Sequence, residues 1–165
     1  MATDWSVYDY EADMFKGMYP HCRSDVVASR YIKNAITESL LLHTRNLVDI
    51  LLSRDSEPDA INLKTLLPGF TLTKHAELAG IYGSRKVEKS PCWTLNKMLA
   101  HSTNVRSEGF DYTTMMEQLR PVINHCLDEA EAEREKRGIG KIKQPEPASF
   151  ESSVAVLNAS TSSRR

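Results

Sequence analysis

A chain of 165 residues with 41% apolar and 26% charged side chains has the length and balance of a single soluble domain with one buried core. Its formal charge of -1 creates no global field for nucleic acid or an anionic membrane, so any such affinity must be local. Three cysteines (Cys22, Cys92, Cys126) are too few, and odd in number, for a disulfide framework; MATDWSVYDYEADMF has acids where a signal peptide has a basic then apolar run, and no stretch reaches the roughly 18 apolar residues of a membrane span. A cytoplasmic protein without a membrane partner is expected.

Trp5, Tyr8, Met14, Phe15 and Met18 alternate with acids, which predicts an amphipathic helix over 4–18, capped by Asp4 and ending before Pro20. The longest helix is predicted over 25–54, a stretch without glycine or proline. Its main stripe is Ile32, Ile36, Ser39, Leu40, His43, Leu47, Ile50 and Leu51, and Leu41, Val48 and Leu52 form a weaker one on the other side. That second side also aligns Glu38, Leu42, Arg45 and Asp49, either as a solvated ion-pair ladder or as the face on which two copies meet in a homodimer. His43, central in the main stripe, reads as a core histidine whose ring nitrogens have partners.

Between 55 and 89, Pro58, Pro68-Gly69, Gly80 and Gly83 interrupt the pattern and leave room for short helices over 60–66 and 73–82. The connection ends on the basic run GSRKVEKSP. Ser90 as cap and Pro91 at the first helical position then open a helix predicted over 91–106. At about 100° per residue, Leu95, Met98, Leu99, Ser102 and Val105 share one side with Arg106, while His101 lies at its edge and Lys97 and Asn104 point outward. An arginine drawn towards a core needs a carboxylate for its fork, and Glu38 and Asp49 are the acids of the long helix in register. From Arg85 to Arg106 five basic residues (Arg85, Lys86, Lys89, Lys97, Arg106) face one acid, Glu88.

Met115, Met116, Leu119, Val122, Ile123, Cys126 and Leu127 predict a last helix over 111–137, kinked or split by Pro121. Its end, DEAEAEREKR, is polar all round and is expected to project as a solvated turn or two, stopped by Gly138. Residues 138–165 read as a disordered tail in which Val154 to Leu157 is at most a docking patch. The expected architecture is therefore one all-α domain over 1–137, an up-and-down bundle of four principal helices.

His21-Cys22, Cys92 and His125-Cys126 are metal-capable types, yet adjacent helical residues point apart and no CxxC or HxxxH spacing occurs, so neither a metal nor another cofactor is expected. Phosphate-binding glycine loops and serine-hydrolase elbows are missing as motifs.

The long helix AITESLLLHTRNLVDILL followed by LNKMLAHSTNVR resembles small prokaryotic helical proteins related to the HEPN superfamily (higher eukaryote and prokaryote nucleotide-binding), over roughly Ser24 to Cys126. The resemblance implies a dimeric helical bundle, RNA as ligand, and a metal-independent ribonuclease of a toxin-antitoxin or phage-defence system, with an antitoxin or other protein as a further partner. The superfamily signature sets an arginine and a polar residue a few positions before a histidine on a later helix. The histidine maps onto His101; Asn96 and Lys97 stand five and four residues ahead of it, and Arg45 and Arg106 are the guanidinium groups that neighbouring helices could supply, with Glu38 or Asn46 as the polar residue of the second helix.

In the mechanism this implies, an RNA 2′-hydroxyl attacks the adjacent phosphate while His101 moves the proton, Arg45 or Arg106 balances the growing charge and Asn96 positions the substrate. Arg85, Lys86, Lys89 and Lys97 would guide the RNA backbone. The competing expectation is a non-catalytic dimerisation or interaction module, with His43, His101, Arg45 and Arg106 joined to Glu38 and Asp49 in a buried network.

Overall fold

The computed structural model describes residues 4–22, 30–54, 57, 59–100 and 112–142, which form six helices and, among the described residues, no strand. These are α1 (Asp4–Cys22), α2 (Arg30–Leu51), α3 (Leu63–Leu66), α4 (His75–Tyr82), α5 (Pro91–Ala100) and α6 (Tyr112–Lys136). The all-α class is as expected, and the short helices α3 and α4 fall within the connection that precedes α5. The remainder of the predicted 91–106 helix, with His101 and Arg106, lies outside the described residues.

The core is assembled chiefly from α1, α2 and α6. Tyr8, Ala12 and Phe15 of α1 are buried at helical spacing in one cluster with Leu40, Leu47 and Leu51 of α2 and Met116, Leu119, Ile123 and Leu127 of α6. Each such large side chain contributes about 1.5–3 kcal/mol by leaving water. Cross-helix contacts fix the directions. Glu11 of α1 reaches His43 of α2, and the Cys22 thiol further along α1 meets Thr37 further back on α2. Likewise Asp9 pairs with Arg134, and Tyr19 lies under Arg120 at 3.9 Å. So α1 runs antiparallel to both α2 and α6.

On α2, both predicted stripes are buried in the second half of the helix within one copy: Leu40, Leu47 and Leu51 on one side, Leu41, Val48 and Leu52 on the other. Ile32, assigned to the main stripe, is instead exposed together with Tyr31 and Leu42. An inner helix of one bundle needs two apolar faces, so the second stripe by itself requires no partner copy.

Pro20 departs from its expected role, and of the two outcomes expected at Pro121, a kink or a split, the split does not occur. Pro20 lies inside the last turn of α1 rather than beyond it, and Pro121 lies inside α6 without splitting it. A proline removes one backbone donor and crowds the carbonyl four residues back. Pro121 is on the exposed side, where the Glu117 carbonyl can turn to water while Leu119, Val122 and Ile123 stay buried.

The largest correction is at the end of α6. The polar run does not project into solvent: Ala130 and Arg134 continue the buried stripe against α1, and the Arg134 side chain is only 4% exposed. Its guanidinium forks onto Asp9 through Nη1 to Oδ1 at 2.5 Å and Nη2 to Oδ2 at 3.1 Å, and the Trp5 ring covers it at 4.2 Å. Residues 138–142, placed in the tail by composition, fold back over the pair. The Ile142 amide donates to Asp9 Oδ2 at 2.9 Å, the Gly140 carbonyl accepts from Arg134, and Lys141 pairs with Asp13 at 3.2 Å. Residues 143–165 lie outside the described residues.

Candidate functional site

The second half of α2 sends Arg45 and Asp49 outwards while its leucines enter the core. After Leu51 the chain leaves the helix through Ser53, a non-glycine residue at φ 50°, and this turn delivers Arg54 to the start of α5. Arg54 lies over the Tyr82 ring at 5.0 Å, donates to the Gly83 carbonyl at 2.5 Å and approaches Cys92 Sγ at 3.5 Å. One side chain thus ties the end of α2 to the end of α4 and the first turn of α5.

The connection 83–90 is itself tightly built. Gly83 has φ 71° and sits so close to Ser90 that a Cβ there would lie 2.7 Å from the Ser90 Cβ. The Ser90 hydroxyl can donate to the Ser84 carbonyl at 2.8 Å or the Val87 carbonyl at 2.7 Å, and it accepts the Trp93 amide at 3.2 Å, the expected cap of α5. This turn presents Arg85, Lys86, Val87 and Lys89 to solvent.

Arg85 comes from this turn to face Asp49. Its Nη2 is 3.8 Å from Asp49 Oδ2, and Arg45 Nε is 4.0 Å from the same oxygen; both contacts exceed hydrogen-bond length. The Arg45 Nε is buried without a hydrogen-bond acceptor. Arg45, Asp49, Arg54, Glu57, Ser84, Arg85 and Cys92 line a cavity of ≈ 590 Å³. Arg45, Asp49 and Arg85 also border a second cavity of ≈ 230 Å³, whose other walls include Glu11, Asn46, Asp59 and Ile61. These three side chains border both cavities. The Tyr82 phenol is held well above its ordinary pKa, first by burial and then by the Asp49 carboxylate and Cys92, with Arg45 acting in the opposite direction. Tyr82 therefore stays protonated.

Of the residues singled out from sequence, Arg45, Asp49 and Arg85 are brought together. Asn96 stands nearby on α5, but its amide donates to the Cys92 carbonyl of its own helix at 2.8 Å. Lys86 and Lys89 are exposed on the 83–90 turn, and Lys97 leans on the Trp93 ring at 5.9 Å. His43 belongs to another cluster: its Nδ1 lies 2.7 Å from Glu11 Oε2, and Asn46 donates to the other oxygen of Glu11 at 3.2 Å. Of the expected network, His43 faces α1, Asp49 lies beside Arg45 and Arg85, and Glu38 is exposed, while its members His101 and Arg106 lie outside the described residues.

Arg54, Glu11 and the Asp9–Arg134 pair escaped the sequence patterns. Two of the signals were present: Glu11 falls in phase with Tyr8 and Phe15, and Arg134 in phase with Leu127 and Ala130. At both positions helical phase, not charge, marks the buried side. Among the described residues no three metal-capable side chains gather, and no helix is long and apolar enough to cross a membrane. Cys126 is buried while His125 turns outward to Thr73 at 3.3 Å.

No protein-family model matches the chain, and neither a curated protein nor a solved structure matches it.

Proposed function

We propose that this is an RNA-directed protein of HEPN type, acting in the cytoplasm as a homodimer built on an up-and-down arrangement of α1, α2, α5 and α6. The observation that supports it best is the cavity wall on which Arg45 and Arg85, from separate segments, flank Asp49 without closing hydrogen bonds to it. Guanidinium groups so placed keep donors for a phosphate oxygen, and the exposed Lys86 and Lys89 extend the positive charge along the same turn. In the catalytic form of the proposal His101 moves the proton and Arg45 balances the charge on phosphate, with no metal in the reaction.

The second reading, a non-catalytic interaction module, draws support from the buried Glu11–His43 and Asp9–Arg134 pairs, which set helix register without any ligand. Tyr31 and Leu42 on the exposed side of α2 would be the contacts between copies, and an antitoxin-like protein would be a further partner.

A substitution separates the two. His101→Ala is expected to abolish cleavage of single-stranded RNA while leaving the melting temperature and the oligomeric state unchanged. A lowered melting temperature with no cleavage by the parent protein would instead favour the interaction module.

A further inference from the structure

The ≈ 230 Å³ cavity that shares Arg45, Asp49 and Arg85 with the larger one differs from it in charge and in wall chemistry. The larger chamber is lined by three arginines against Asp49 and Glu57, so its balance is positive. The smaller is lined by Glu11, Asp49 and Asp59 against Arg45 and Arg85, so its balance is negative, and Val7, Ile50 and Ile61 supply apolar wall. By the charges of their linings, a phosphate suits the first better than the second. A flat, uncharged ring rich in N–H donors suits the second. Space permits it, since a cavity of roughly 150 Å³ already accommodates a benzene ring.

We infer that the smaller chamber is a nucleobase subsite and that, with the arginine-lined chamber beside it, the site takes one nucleotide of a single strand, with a guanine-type edge preferred. The inference rests on the RNA-directed reading above. The preference follows from donors and acceptors: guanine offers an imino and an amino N–H side by side, and a carboxylate offers two acceptor oxygens at matching spacing. Asp59 is the exposed carboxylate of this chamber and is the one placed to receive that edge. Glu11 is committed, because His43 and Asn46 hold its two oxygens and fix it as a wall. Ile61, half-buried, provides an apolar surface against which the ring can lie.

The test uses the full chain and two short fluorescein-labelled RNA strands, 2′-O-methylated so that they cannot be cut through their own 2′-hydroxyls. One is an oligouridylate with a single guanosine; the other carries an abasic unit at that position. Fluorescence anisotropy is expected to show about tenfold tighter binding of the guanosine strand, the scale of one good bidentate base contact. Asp59→Asn should remove most of that discrimination, and Ile61→Trp, which fills the chamber, should remove it entirely while the abasic strand binds as before. Equal binding of the two strands by the parent protein would overturn the subsite and leave the RNA-directed reading standing. Discrimination that persists in both variants would also overturn it, by locating base recognition elsewhere. Binding of neither strand would sink the RNA-directed reading, and the subsite with it.

Discussion

Two arginine–aspartate clusters in this protein use the same chemistry to opposite ends. At the far end of α6, Arg134 and Asp9 are 4% and 2% exposed, bonded through both guanidinium Nη atoms, roofed by Trp5 and closed over by residues 138–142. On α2, Arg45 and Arg85 approach Asp49 at 4.0 and 3.8 Å, with Arg85 63% exposed, beside two cavities. The first arrangement spends both Nη groups within the fold and leaves only the Arg134 Nε without an acceptor. In the second, neither guanidinium closes a hydrogen bond to Asp49. An ion pair therefore indicates function less by its presence than by how completely it is satisfied.

The sharpest way to break this contrast is to remove Arg134. Arg134→Ala strands the Asp9 carboxylate in the core and is expected to cost about 3–5 kcal/mol in urea denaturation, the usual penalty for half of a buried pair. A loss below about 1 kcal/mol would mean that Asp9 finds water and that the clasp is not closed. Next in size comes His43→Ala, which takes from Glu11 its partner at 2.7 Å but leaves Asn46 in place. About 1–3 kcal/mol is expected, measured in the same way.

Gly83→Ala probes the support of the open cluster. A methyl group at φ 71°, 2.7 Å from the Ser90 Cβ, should cost more than about 1 kcal/mol and disturb the turn that carries Arg85. Thermal melts that match the parent protein would show the turn to be looser than its geometry implies.

These regions were unequally legible in the sequence. Periodicity located α1, α2 and α6 because a long buried stripe repeats often enough to outweigh single exceptions. The end of α6 falls where the sequence puts it, but its contact with α1 does not show there, since seven of the eight charged residues in DEAEAEREKR hide by count the one arginine that faces inward. Pro20 and Pro121 both sit inside helices, because a proline whose freed carbonyl faces water can stay there, so the residue type alone does not mark a boundary. For the candidate site, Arg45, Asp49 and Arg85 were each visible, yet their meeting depends on the strap of Arg54 onto Gly83 and Cys92, a tertiary contact with no sequence period.

A smaller effect follows from the thiols. Burial, above all, pushes the Cys126 thiol from 9.0 up to about 11, with Glu129 adding to it. Below the unfolded value both states carry the proton; above it the unfolded chain ionises first, so stability should fall as pH rises through that window. Tyr8 and Tyr82, whose phenols burial also raises, act in the same direction at higher pH. Urea titrations at about pH 8 and about pH 10 should differ less in Cys126→Ala than in the parent protein. An equal difference would show that the thiol does not contribute.

The central claim, that the α2 cluster is directed outward and the α6 clasp inward, is tested most directly by the salt dependence of RNA binding in Arg85→Ala. Truncating this exposed side chain is expected to change stability by less than about 0.5 kcal/mol. It should also weaken binding of single-stranded RNA of any sequence and reduce the slope of log affinity against log salt by about one. Unchanged affinity and slope, or a stability loss of the size expected for Arg134→Ala, would contradict the account.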